Sequence, residues 1–494
     1  MSFSDRLREI RTGFERPFWV ANITEIFERL SYYSVFAVLV RYLNEGLGFP
    51  IAQAGTLGGL FGAAVWFMAI FGGAVADKIG FRRALSLAYF ILSGAYFLVG
   101  SIGAPWLAPV RSAVPLPLLA GAILFLPALG VALVKPSVVG TIARCSTENV
   151  RSIGYSIYYT MVNIGSFLGP YLAGWVRERV NRGEMHLESV FRIASVSVFL
   201  MLIAVIIFFK EPRRAADQPV PSLGQVARNF LTVLGRRWFV LPLLLLGLVA
   251  LTANMIVLIL RVLSVAPNLP WLSIPWWIWA PFLMLFVVGM SRFMWFLVIF
   301  SGYWVVFWQQ YLMLPPYIHN YVDAGANTEY ILITDPLIVI FFTVAINAAT
   351  RKIPSFHAVT LGTFITAVGW LILPFWHSKW AAVMALAVVA TGEIIQSPRY
   401  YEYISRLAPA GQQGTYMGFA FLPIGIGSLI GGWLGGKLVQ HFGEVTHQPS
   451  RMWYAVTAVG IITALLLWIY DKTIRPTSGP ADENAAAVQE SKAA

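Results

Sequence analysis

Cysteine is nearly absent from this chain. Cys145 is the only one in 494 residues, which excludes a disulfide framework and a thiolate metal cluster. Charge is scarce as well: Asp, Glu, Lys and Arg make up 12% of the residues against 58% hydrophobic ones, and mean hydropathy is +0.70. That balance is far from a soluble domain's. Also missing are a zinc-binding helix, an Asp-rich prenyl-transferase pair and a nucleophile elbow, so no enzyme is expected. No small-residue cleavage site follows the arginines at 6, 8, 11 and 16, so the first apolar span reads as a retained helix. The net charge of +12 would suggest nucleic acid in a soluble protein. Here the basic residues gather in short loops, which points to membrane topology and a lipid bilayer as partner.

What is present is a series of long apolar runs. About 20 such residues span a bilayer. Spans are expected near 17–43, 52–76, 84–102, 115–139, 153–176, 190–209, 239–264, 272–289, 293–317, 334–349, 357–376, 380–405, 413–436 and 452–471. This is an all-α integral membrane chain of fourteen spans. Lys78, Arg82, Arg83, Arg144, Arg213, Arg214, Arg236, Arg237, Arg351 and Lys352 collect on one side, which puts both termini in the cytoplasm. The expected organisation is a six-helix bundle over 1–209 and a linker with an amphipathic helix over 210–237. Two extra helices follow over 238–292, then a second six-helix bundle over 293–471 and a disordered tail over 472–494.

Within the first span the sequence EIFERLSYY places Glu25, Glu28 and Arg29 among apolar residues. A charge at the bilayer centre costs about 2.5–3.5 kcal/mol on insertion scales, so the three must face protein or a wet cavity. Positions i, i+3 and i+4 share one helix face, so they project together. Lys135 in the fourth span needs a partner, and Glu25 and Glu28 are the nearest reasonable ones. A Lys–Glu pair that breaks when the carboxylate takes a proton is a two-state element; a static structural salt bridge is the plainer alternative. Arg29 offers a planar fork for a carboxylate, and Glu393 a negative charge for an ammonium. Tyr33 lies one turn beyond Arg29, and Asn163 suits either a substrate amide or helix packing.

After the second span, GGAVADKIGFRR supplies Gly73, Asp77, Lys78, Gly80, Arg82 and Arg83. Its order resembles the gating-loop signature of the major facilitator superfamily. Glu25-x-x-Glu28-Arg29 followed by Tyr32-Tyr33, then Lys135-Pro136-Ser137, YYTMVNIGS from Tyr158 to Ser166, GEIIQSP from Gly392 to Pro398, and Leu407-Ala408-Pro409 follow in order. Together these resemble the proton-dependent oligopeptide transporters of that superfamily. The resemblance covers nearly the whole chain. It implies two six-helix bundles plus two extra helices, alternating access around a midplane cavity, and proton-coupled import of short peptides. No cofactor beyond a proton gradient is implied.

Departures from that family bear on the pocket. The helix-seven carboxylate is Trp308, and the first-helix arginine that it would pair with is Phe36. Joint loss is what physics demands, because removing one partner strands a buried charge. The outer gate is therefore expected to be aromatic. The family's Asn-Pro is Asp335-Pro336, its second-span tyrosine is Trp66, and a tryptophan of the eleventh core helix is Ala420. The expected substrate contacts are Arg29, Tyr33, Trp66, Lys135, Asn163, Trp308, Asp335, Glu393, Ser397 and Ala420, with Glu25, Glu28, Arg29 and Lys135 coupling the proton. A divergent member moving an amine, nitrate or a drug-like cation, or exporting, is the alternative, and a non-transporting sensor a further one. The sequence does not fix an oligomeric state.

Overall fold

Apolar runs with polar caps dictate a helical chain. In the computed structural model, residues 13–147, 150–212, 224, 228, 291–408 and 413–473 are described. Nine helices among them are long and apolar enough to cross a membrane. The first group is α1 (Arg16–Arg41), α2 (Ile51–Ile79), α3 (Phe81–Val99), α4 (Leu116–Cys145), α5 (Arg151–Asn181) and α6 (Ser189–Phe208). The second is α7 (Arg292–Leu312), α8 (Thr328–Thr350), α9 (Ser355–Phe375), α10 (Lys379–Leu407), α11 (Tyr416–Val445) and α12 (Met452–Thr473). The expected spans at 239–264 and 272–289, nearly all of the linker, and the tail beyond 473 lie outside the described residues.

Local chemistry sets the helix ends. Pro17 opens α1 at a position whose N–H would have no helical partner. Ser291 accepts from the Met294 N–H at 3.2 Å, and Asn327 from the Tyr330 N–H at 3.4 Å, capping α7 and α8. Gly80 separates α2 from α3 with a φ of +88°, a conformation that only glycine adopts cheaply. The expectation for α8 began at 334, whereas the helix starts at Thr328. A break at Ile333, just before Asp335-Pro336, splits the apolar pattern into two short pieces that do not read as one span.

The start of α1 and the end of α12 share one face, called here the terminal face; the α1–α2 turn marks the distal face. At the distal end the two groups meet closely. Gly55 and Gly59 of α2 pack on Gly432 of α11, where a Cβ on Gly59 would lie 2.9 Å from the Gly432 Cα. The Ser428 hydroxyl donates across this seam to the Gly59 carbonyl at 3.1 Å. A second seam joins α5 to α8, where the Asn327 amide donates to the Gly174 carbonyl at 2.8 Å. The glycine run of α11 thus serves close helix packing, as its spacing implies.

Candidate functional site

The charged turn of α1 is wholly inside the protein, with Glu25, Glu28 and Arg29 exposed by 1% or less. Sequence spacing put them on one face, and α5 is pressed against that face. A Cβ on Gly165 would sit 2.5 Å from the Arg29 Cβ, and one on Gly169 would sit 2.8 Å from the Tyr33 Cβ. Only glycine permits so close an approach. The Arg29 Nε lies 3.5 Å from Glu25 Oε1 and 2.5 Å from Glu28 Oε2. The Tyr158 hydroxyl reaches Glu25 Oε1 at 3.4 Å, and the Arg29 guanidinium lies 5.0 Å from the Tyr32 ring centre.

Lys135 departs from expectation. No described carboxylate comes within ion-pair distance of it. Its Nζ sits 4.1 Å from the centre of the Trp66 ring, a cation–π contact. Arg29 has taken both carboxylates, because its planar fork on the same helix reaches them with less ordering than a lysine on α4. Lys135 stays within electrostatic reach of Glu25 and Glu28, and the four charges sum to zero. It is half-buried, as are Tyr33, Asn163, Glu393 and Ser397. Together these line the space between the helix groups.

On the opposite wall, the Asp335 and Glu393 carboxyl groups meet, with Gln310 beside Asp335. Tyr159, 40% exposed, faces the same space within reach of both acids, and the Asn163 amide donates to its carbonyl at 2.8 Å. Sequence reading missed Tyr159, although its position one helical turn before Asn163 was a usable signal. Trp66 stacks on Phe421 at 5.6 Å, so the cavity wall is continuous between α2 and α11. Ala420 does not line the cavity. It is fully buried, and its carbonyl accepts the Tyr400 hydroxyl at 2.8 Å.

Distal to the cavity, Phe36 and Trp308 meet edge to face at 5.1 Å. Tyr32, Phe61 and Tyr311 surround Phe36 at 5.7, 5.7 and 5.6 Å. The Trp308 Nε1 donates to the Ile424 carbonyl at 3.2 Å. The two positions that departed together thus form one buried aromatic plug between α1 and α7.

At the terminal face, Asp77 binds Arg144 of α4 at 2.7 Å, and that guanidinium lies 4.0 Å from the Phe81 ring centre. Arg82 donates to the Ile206 carbonyl at 2.7 Å. Gly73 packs against Pro136, and Lys78 and Arg83 are partly or fully exposed. Glu211, unnoticed in sequence, accepts from the Phe81 and Arg82 main-chain N–H groups at 2.8 and 2.7 Å. Its carboxylate sits at the N-terminus of α3, where backbone donors favour an anion.

The family model of the Major Facilitator Superfamily matches residues 22–422. The chain is 31% identical over 248 residues to a di-/tripeptide transporter of Lactococcus lactis subsp. lactis, covering 47% of this chain and 44% of that one. The match therefore spans about half the length of such curated relatives. A dipeptide and tripeptide permease A of Chromobacterium violaceum is 24% identical with 91% of both chains covered. The fold is similar to the crystal structure of a POT family transporter in complex with 5-aminolevulinic acid, with a TM-score of 0.67, 18% identity, and coverage of 93% and 97%. The oligopeptide-transporter motifs thus sit on the fold that such a transporter has. The chain belongs to the Major Facilitator Superfamily.

Proposed function

We infer that the protein is a proton-coupled symporter that imports short peptides or peptide-like amines by alternating access. One observation carries the reading most. A charge-balanced set of buried Glu25, Glu28 and Arg29 with half-buried Lys135 lies in the first helix group, and the paired acids Asp335 and Glu393 lie in the second, with Tyr33 within electrostatic reach of both. Arg29, expected to hold a substrate carboxylate, is buried and tied to Glu25 and Glu28, so that role passes to the half-exposed Lys135, with Glu393 taking the ammonium of a zwitterion. Protonating Glu25 or Glu28 weakens the hold on Arg29 and changes what Lys135 experiences, which is how a proton gradient biases the two-state element. The basic loops favour the terminal face as cytoplasmic and the distal face as external. On that orientation the chain is an inner-membrane protein with both termini inside, captured with its outer side closed. The comparisons support the substrate class through the relatives' own names.

The test is uptake into proteoliposomes with an inward proton gradient and a dipeptide library. Gradient-driven accumulation is expected. Coupling free energies of about 1–3 kcal/mol correspond to about 5–150-fold, so Lys135→Ala should lose that much of the gradient's stimulation. A Lys135→Ala protein that still concentrates peptide, or a parent that ignores the gradient, overturns the reading.

A further inference from the structure

Above the aromatic plug lies a set of charges that no part of the preceding reading uses. Arg41 ends α1, about 7.5 Å along the helix axis beyond Phe36 at 1.5 Å per residue. It is 2% exposed. Its Nε binds both carboxylate oxygens of Glu45, one turn on, at 2.9 and 2.8 Å. The remaining contacts cross between the halves. Arg41 Nη1 lies 4.0 Å from Oε1 of Glu329, at the start of α8, and His319 beyond α7 places its Nε2 3.7 Å from Oε1 of Glu45.

Two details separate this set from an ordinary structural ion pair. Glu329 is fully buried, yet its Oε1 has no hydrogen-bond partner, and neither Nη atom of Arg41 has one. The cross-half pair is therefore held by charge at a distance too long for a hydrogen bond. The intra-helix pair with Glu45 is tight. An arginine anchored on its own half and loosely engaged with the other can release the far half without losing its own counter-ion, and release then costs less than breaking a fully hydrogen-bonded buried pair. The position also matters. Phe36 and Trp308 hold α1 and α7 together by apolar contact alone, which is non-directional and does not fix how the halves register. Charges do.

We propose that Arg41, Glu45 and Glu329, with His319 at their edge, form a latch that registers and holds the two halves at the distal face, taking over the ionic role that the Phe36–Trp308 plug lacks. The latch rests on the two-half alternating-access reading but not on the substrate.

The test reads gate opening alone. Ser428, fully buried in the distal seam, is replaced by Ser428→Cys in a chain whose sole cysteine is removed by Cys145→Ala. The protein is placed in nanodiscs without substrate, and the rate of maleimide labelling is measured. Arg41→Gln and Glu329→Gln should each raise that rate about fivefold or more, because losing a charge favours the separated halves. Arg41→Lys, which keeps the positive charge beside Glu45 and Glu329, should stay within about twofold of the parent. Unchanged labelling in both single variants, or an Arg41→Lys protein that labels as fast as they do, overturns the latch. If Glu329→Gln does not fold, Glu45→Gln decides instead: it leaves Arg41 with Glu329 as its remaining counter-ion, so slower labelling supports the latch and an unchanged or faster rate overturns it. Peptide uptake is irrelevant to all of these outcomes, so failure of the latch and failure of the substrate assignment are distinguishable.

Discussion

Arg29 and Lys135 bear the same charge and face the same acids, yet the protein uses them differently. Arg29 is 1% exposed and ties two carboxylates, so removing it leaves two uncompensated negative charges in a dry place. Such losses cost about 3–5 kcal/mol. Lys135 rests on an indole face, a contact worth about 0.5–2 kcal/mol. Arg29→Met should therefore lower the thermal unfolding temperature in detergent much more than Lys135→Met. Equal losses would show that Lys135 is a structural partner of the acids after all. The charged turn was legible because charges are so costly inside an apolar run that their presence demands a reason. The lysine's partner was not, because sequence reasoning searched for a carboxylate and the ring lies 69 positions away on α2 (Trp66 to Lys135). Arg41 and Glu329 were illegible for a related reason. Each ends or begins a span, where charges are ordinary, and only the fold brings them together.

At the level of helices, the plug and the seams invite direct tests. Phe36→Arg or Trp308→Glu alone buries an unpaired charge and should destabilise the protein by about 3–5 kcal/mol, whereas the double variant restores a pair and should recover a substantial part of that loss. A double variant no better than the sum of the singles, by thermal unfolding, would mean that the two rings do not oppose each other. Gly80→Ala places a side chain at a φ of +88° beside the Glu211 carboxylate and should cost about 1–2 kcal/mol. No loss in an unfolding assay would mean that the turn relaxes. The described helices were readable from hydropathy, with most ends off by a few residues and the end of α11 at Val445 against an expected 436. The break in α8 was not, because Pro336 obscured a continuous span. The close approach of α5 to α1 was hidden inside Asn-x-Gly-Ser, where glycine reads equally as flexibility or as contact.

For the whole molecule, alternating access requires that the distal seam part as the terminal side closes. A Cβ on Gly59 would lie 2.6 Å from the Ser428 carbonyl oxygen and 2.9 Å from the Gly432 Cα, so Gly59→Leu should wedge the seam and favour the opposite opening. The expected outcome is faster labelling at a Ser428→Cys reporter and lost gradient-driven uptake with peptide binding retained, measured by tryptophan quenching. Retained uptake at the parental rate would argue that the seam does not move. Counterflow with peptides against amines, nitrate and drug-like cations checks the substrate class at the same scale: peptides should compete best, and a cation that competes better would favour the divergent reading. The fold could be anticipated from ordered motifs along the chain. The direction of closure could not, since it depends on which ends of paired helices touch.

Glu211 also has a mechanical role. It is the point from which the connection between the halves departs, and it is moored by two main-chain bonds to the base of α3. Residue 211 is therefore fastened to the first bundle, and any tilt of that bundle hauls the mooring along.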